Sequence, residues 1–271
     1  MYIMYLTLET VKEYEKAKKI GLNRFETTFD LGLSTQTISI ADFLSLLSNC
    51  PKIRNEDIVF YDEKKKEGFK LHIANEKGIF SLRKDKEQKP ILYINAVKMN
   101  VFKDWGLDTY NENVINNLEI KPTDFVLEVC TGAGYKTNIL IEKAEKVISV
   151  EKSEEVLELM EYNPYTKDLQ KKQNLEIIND DAVNFVKKTK EKFDKILHDP
   201  PTYKFAPELY HENFYKDLYN IAKDGCILFH YTGNPGNKFR GHDLVKATIE
   251  RAISVGWKLI KKEDLGAYFR K

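Results

Sequence analysis

From Thr109 to Tyr231 short apolar runs alternate with longer amphipathic stretches. Phe125–Val129, Val147–Glu151, Leu175–Asn179, Lys195–Asp199 and Cys226–Tyr231 are compact, rich in Val, Ile and Leu, and bounded by turn residues. They predict buried strands. Thr109–Leu118 predicts a leading helix, and helices fit the intervals at Tyr135–Lys143, Ser153–Tyr162, Ala182–Thr189 and Pro207–Ala222. In the last of these Tyr210, Phe214, Tyr215, Leu218 and Ile221 recur at helical spacing and mark a core face. Strands alternating with helices predict βαβ units and a parallel sheet. The tail differs. His242–Val255 predicts a helix, and Trp257–Lys261 and Ala267–Arg270 predict strands with no helix between them. Two such strands pair only as an antiparallel hairpin.

The N-terminal part follows another pattern. Helices are expected at Val11–Ile20 and Ile40–Leu47, and strand, turn, strand over Thr27–Ile40. Further strands are expected at Ile58–Tyr61, Phe69–Ala74, Gly78–Arg83 and Ile91–Val97, separated by Lys/Glu/Asn/Gly turns, with Lys84–Lys89 as a solvated loop. The chain therefore divides into a small, mainly β accessory domain over 1–107 and an α/β domain over 108–271.

Composition narrows the partners. Of 271 residues 42% are hydrophobic, enough for a sizeable core. The 43 basic and 42 acidic residues leave a net charge of +1, so no sequence-wide field draws the chain to nucleic acid. A basic RNA-binding surface would have to be local. The three cysteines, Cys50, Cys130 and Cys226, form no CxxC pair and indicate neither a disulfide framework nor a metal site. A reduced, cytoplasmic setting is expected. No apolar run approaches a membrane span of about 18 residues. The sequence does not give the oligomeric state.

Two motifs carry chemistry. The first is FVLEVCTGAG, Phe125 to Gly134, a strand that ends in a glycine turn before a helix. Gly132 and Gly134 let backbone approach a ligand at the carboxyl end of the strand, and free N–H groups at the helix start attract anions. Thr131, Tyr135, Lys136 and Thr137 add donors there. A dinucleotide fingerprint would need Gly or Ala at Thr137, and a phosphate-binding P-loop would need Gly before Lys-Thr. Glu151 ends the second strand, where an acid accepts from ribose hydroxyls or, with Ser153 and Glu154 following, caps a helix. The second motif is ILHDPPT, Ile196 to Thr202. Two prolines cannot continue a ladder, so they fix a rigid loop at the ligand-binding edge of the sheet. Asp199 and the Pro200 carbonyl can each accept one N–H of an amine, favouring its tetrahedral over its flat form.

Together these motifs resemble motifs I and IV of class I S-adenosylmethionine (SAM)-dependent methyltransferases. With His230–Gly236, HYTGNPG, they resemble archaeal predicted methyltransferases of that class. The resemblance covers 108–271 and implies a Rossmann-like, mostly parallel sheet whose last strand is antiparallel. It implies SAM as cofactor, held by Glu128 (on its ammonium), Cys130, Thr131, Gly132, Gly134, Glu151, Lys152, Asp181, Ala182 and Asp199. Asp180 competes with Asp181 for the adenine amino group, and either serves equally as a helix cap. It implies Asp199, Pro200, Pro201 and Tyr203 as the catalytic set. An aromatic residue usually follows the prolines to stack on a base. Here Thr202 stands in that place, and Tyr203 or Phe205 supplies the ring. Thr202, Tyr203, His230, Tyr231, Asn234, Lys238 and Arg240 form the expected substrate side. The equal alternative for the last five is a crossover loop with a core histidine. The expected activity is N-methylation of an amino group in RNA. Aminopropyl transfer from decarboxylated SAM and a non-catalytic partner subunit are the alternatives. A cytosine-C5 mechanism is disfavoured, because it needs a nucleophilic Cys near the base, and Cys130 lies in the cofactor loop.

Overall fold

The computed structural model describes residues 4–99, 106–233, 238–239 and 242–271. The chain forms two units, 1–101 with 155–167, and 102–154 with 168–271.

The first unit contains β1 (Met4–Leu6), α1 (Leu8–Lys19), β2 (Arg24–Thr27), β3 (Gln36–Ser39), α2 (Ile40–Ser48), β4 (Val59–Asp62), β5 (Glu67–Lys70), β6 (His72–Asn75), β7 (Gly78–Lys84), β8 (Pro90–Ile94) and β9 (Val97–Lys98). The strands make three antiparallel sheets, ordered β1-β4-β5, β2-β3 and β6-β7-β8-β9. Thr7 opens α1 with a capping box, and Lys18 and Lys19 close it where cations suit the dipole. Leu6, Tyr14, Phe25, Phe43, Val59 and Tyr61 fill the core. Strand β1 has no counterpart in the sequence reading. The single strand expected over Phe69–Ala74 is divided at Leu71. The Leu71 N–H bonds to the Ile58 carbonyl (3.1 Å), and its own carbonyl accepts from Leu82 N–H (2.9 Å). The chain thus passes from one sheet to the next at a buried residue.

Residues 155–167, which the sequence groups with 108–271, go with this first unit. Tyr162 stands edge-on to Phe60 (5.1 Å) and Phe69 (5.9 Å), and its carbonyl accepts the Tyr5 hydroxyl (2.7 Å).

The second unit runs α3 (Leu107–Asn116), β10 (Phe125–Val129), α4 (Tyr135–Lys143), β11 (Lys146–Glu151), the start of α5 (Glu154–Glu161), β12 (Leu175–Asn179), α6 (Ala182–Lys188), β13 (Phe193–His198), α7 (Glu212–Ile221), β14 (Ala222–Tyr231), β15 (Lys238–Phe239), β16 (His242–Asp243), α8 (Leu244–Ser254), β17 (Lys258–Lys262) and β18 (Gly266–Arg270). Seven strands form one sheet in the order β12-β11-β10-β13-β14-β18-β17. β10 to β14 are mutually parallel, and β18 runs antiparallel to both neighbours. This is the α/β class and the antiparallel closing strand that the sequence predicts. The order reverses between β10 and β13, the point at which open α/β sheets bind ligands.

The helix expected over Pro207–Ala222 is a 3-10 turn at Pro207–Tyr210 followed by α7. His211 separates them and accepts from Asn213 N–H at Nδ1 (3.3 Å). The helix expected from His242 begins at Leu244, capped by Asp243. Among the described residues no helix is long and apolar enough to cross a membrane.

Candidate active site

The glycine turn leaves β10 through alternating left-handed residues. Cys130, Gly132 and Gly134 have φ of 72°, 58° and 80°. Backbone in such a turn presents N–H groups to one concavity. A β-carbon built on Gly132 would meet no heavy atom within 4 Å, so the space above it is open.

Beneath the turn the side chains are spent on each other. The Thr137 hydroxyl donates to Glu128 Oε2 (2.6 Å), Ser149 does the same (2.6 Å), and Thr131 Oγ1 lies 2.6 Å from Ser149 Oγ. Glu128 is 1% exposed. Burial raises its carboxyl from about 4.5 to about 7, against the two hydroxyls and the nearby Lys136 ammonium. Three of the donors that the sequence places toward an anion therefore turn inward. Thr131 meets Ser149, Thr137 meets Glu128, and Lys136 Nζ sits 2.7 Å from Asp199 Oδ2. A helix N-terminus also favours an anion there through its backbone N–H groups and dipole.

At the end of β11 Glu151 receives the Gly132 N–H on Oε2 (3.1 Å) and the Ser153 N–H on Oε1 (3.0 Å). Burial pushes its carboxyl up in pKa. Asp181 begins α6 as its cap, with Val183 N–H on Oδ1 (2.8 Å) and exposed Lys152 2.7 Å from Oδ2. Partial burial opposes its ionisation, but Lys152 and the Val183 amide hold it below the usual carboxylate range. Asp180 accepts the Asp181 N–H instead of reaching the sheet edge (2.7 Å). Ala182 is buried.

Asp199 follows β13 directly, and its N–H bonds to the Val129 carbonyl (3.2 Å). That bond ties the Asp-Pro-Pro loop to the glycine strand. Pro200 is buried, while Asp199, Pro201, Thr202 and Tyr203 are partly exposed. The Pro201 carbonyl accepts the Tyr210 hydroxyl (2.9 Å), and the Tyr203 ring stands edge-on to Tyr210 at 5.7 Å. Tyr203 also borders a cleft of about 290 Å³, shared with Pro207, Tyr210, His211, Glu212, Asn213 and Arg251. The sequence reading does not anticipate this cleft.

His230, expected beside the substrate, lies in the core. It is paired in register with His198 and fully buried, and the two rings stack at 4.3 Å and 14°. Its Nε2 lies 2.9 Å from the Tyr215 hydroxyl. Strand alternation explains the correction: His198 and His230 face α7, so Asp199 and Tyr231 face the other way. Burial pushes the His230 imidazole down to about 3 and His198 well below its ordinary value, so both rings are neutral. Tyr231 is buried close enough to Asp199 to feel its charge. Asn234 and Arg240 lie outside the described residues. Lys238 contributes backbone to β15, paired with Asp243.

One further residue joins the site. Tyr110 of α3 is 5% exposed and lies under Lys136, whose Nζ is 5.0 Å from the ring centre. Its hydroxyl has no hydrogen-bond partner among the described residues.

An open glycine cradle, a helix N-terminus for a carboxylate, and acids at the ends of β11 and before α6 form a donor and acceptor set that fits SAM. Comparison with known proteins agrees. The model of the ribosomal RNA adenine dimethylase family matches residues 108–214, a span holding both the glycine turn and the Asp-Pro-Pro loop. The uncharacterized protein MJ1233 of Methanocaldococcus jannaschii is 38% identical over 214 residues, 79% of this chain and 73% of that protein. The ribosomal RNA small subunit methyltransferase A of Clostridium acetobutylicum is 25% identical over 130 residues, 48% of this chain and 42% of that enzyme. In fold, the chain is similar to the spermidine synthase of Thermotoga maritima, with a TM-score of 0.59, 17% identity, and 77% and 76% of the two chains covered.

Proposed function

This chain belongs to the same family as MJ1233 of Methanocaldococcus jannaschii and is a SAM-dependent methyltransferase; on that premise we propose that it methylates an exocyclic amino group of a base in RNA. The observation that supports the acceptor is Asp199-Pro200-Pro201, pinned to the end of β10 by the Asp199 N–H bond to Val129. SAM supplies the electrophilic methyl group. Gly132 and Gly134 give it room, the α4 N-terminus receives its carboxylate, and Glu151 and Asp181 accept from its ribose and adenine. Asp199 and the Pro200 carbonyl each accept one N–H of the incoming amine. Those two bonds turn the nitrogen lone pair out of the base plane and toward the methyl group. No strong base is required: the carbon–sulfur bond breaks as the carbon–nitrogen bond forms, and the nitrogen, made acidic by the methyl, releases its proton to water. Tyr203 supplies the stacking face, and Thr202 and Tyr231 border the base.

Aminopropyl transfer fits less well. A polyamine acceptor needs uncompensated acids. Asp199 already carries Lys136, Asp181 carries Lys152, and Glu151 accepts two backbone amides. The test is to incubate the protein with methyl-labelled SAM and, separately, transcribed small-subunit ribosomal RNA, total RNA, protein and small-molecule fractions of a lysate. Label is expected in RNA, on a base amino group after digestion to nucleosides. Label confined to protein or to small molecules refutes the proposal.

A further inference from the structure

Lys136 is an unusual residue for its position. It occupies the first turn of α4, where the helix dipole disfavours a cation. It is also 8% exposed, where a charge is tolerated only if paired. Helix stability therefore does not account for it. Its ammonium crosses from α4 to the end of β13 and meets Asp199 Oδ2 at 2.7 Å, with the Tyr110 ring beneath it. Among the described residues, the groups close enough to Asp199 to feel its charge include Tyr110 of α3, Glu128 of β10, Cys130 of the turn, Tyr210 before α7 and Tyr231 of β14. Lys136 of α4 is the cation that meets it directly.

We propose that Lys136 is the positioning residue of the transfer step: it takes one oxygen of Asp199, fixes the carboxylate's rotation, and leaves the other oxygen to the target amine. The inference rests on the proposed N-methylation and deepens it. With the ion pair formed, the pair adds no net negative charge to hold a protonated alkyl amine. The acceptor it suits is a neutral nitrogen, such as the amino group of a base. The pair also assigns Lys136 to the acceptor side of the site and not to the carboxylate of SAM. Asp199 accepts and donates no proton net; its role is orientation.

The test compares Lys136→Met, Lys136→Arg and the wild type in two measurements. Calorimetry gives SAM affinity, which needs no acceptor. Turnover is read on transcribed small-subunit ribosomal RNA, or on whichever fraction the wild type labels. Lys136→Met is expected to keep SAM affinity within about threefold and to lose kcat by about 10²-fold, the scale of a misplaced reacting group. Lys136→Arg, which can still pair with Asp199, should recover most of the rate, and equal melting temperatures exclude misfolding. Loss of SAM affinity with kcat preserved would assign Lys136 to the cofactor and overturn the inference, as would an unchanged rate. Label found in protein would refute the RNA reading alone, since the Lys136 comparison then runs on that acceptor.

Discussion

Replacing His198 with Phe should reduce the acid sensitivity of the fold. His198 is 0% exposed, and neither ring nitrogen has a hydrogen-bond partner among the described residues. It stacks on His230, whose imidazole burial holds near 3. A histidine depressed in the fold binds fewer protons than in the unfolded chain. Its stability contribution is full above the unfolded value near 6.5, and the loss is complete once the pH passes the folded value. Between pH 7 and pH 5 the His230 ring costs about 2 kcal/mol, and His198 adds a loss of the same sign. Glu128 works the other way. Its carboxyl is raised from about 4.5 to about 7, so it stabilises below the lower value and loses that contribution as the pH rises through the upper one. On acidification from pH 7 to pH 5 it returns about 2 kcal/mol. Over that interval His198→Phe should therefore lose less stability than the wild type. A Phe ring also shifts stability at both pH values through packing and through removal of unsatisfied nitrogens. The difference between pH values cancels that shift. Guanidinium denaturation at pH 5 and pH 7, at fixed ionic strength, reads it. Equal acid losses in variant and wild type would show that the buried pair does not carry the proton linkage.

Other outcomes follow from the same geometry. Gly132→Ala places its methyl in open space at a positive φ, so the fold should lose only about 1–2 kcal/mol. SAM affinity should nevertheless fall at least about tenfold, near 1.4 kcal/mol, and equal calorimetric affinities would place the cofactor elsewhere. Asp199→Asn should bind SAM normally and slow transfer by about 10²-fold or more; turnover within a few fold of wild type would remove Asp199 from the reaction. SAM should outcompete decarboxylated SAM by about 1–3 kcal/mol, the worth of one charge-assisted bond at the α4 N-terminus. The reverse preference in competition binding would promote aminopropyl transfer.

Most of the sheet was legible because its strands are local events. Phe125–Val129, Leu175–Asn179 and the helix Tyr135–Lys143 have the bounds that periodicity assigns. What escaped depends on long-range pairing. Met4–Leu6 is a strand only because Val59–Tyr61 lies opposite. Leu71 interrupts an apparently continuous strand because its two backbone groups serve Ile58 and Leu82. The placement of 155–167 with the first unit has no local signal, since Tyr162 reads as an ordinary helix-end aromatic until Phe60 and Phe69 surround it.

The site shows the same division between type and orientation. Residue types at strand ends placed Gly132, Glu151 and Asp199 at one sheet edge, since a parallel sheet brings all its carboxyl ends together. Which way each side chain turns was not given by type. His230 and Tyr231 are neighbours in sequence, yet pleating sends one to the core and the other toward Asp199. A parity count from Asp199 through the register His198↔His230 would have separated them, but that register belongs to the folded sheet. Two other signals were present. Ser149 is a hydroxyl in the middle of an apolar strand, where a buried polar atom needs a partner, and it has Glu128. Lys136 is a cation in the first turn of a helix, a position that works against it. Both are local violations of the pattern that the rest of the chain obeys. In a chain this consistent, such violations are where the site's internal wiring lies. Ser149 and Lys136 hold the two acids, Glu128 and Asp199, one beneath the glycine turn and the other at the Asp-Pro-Pro loop.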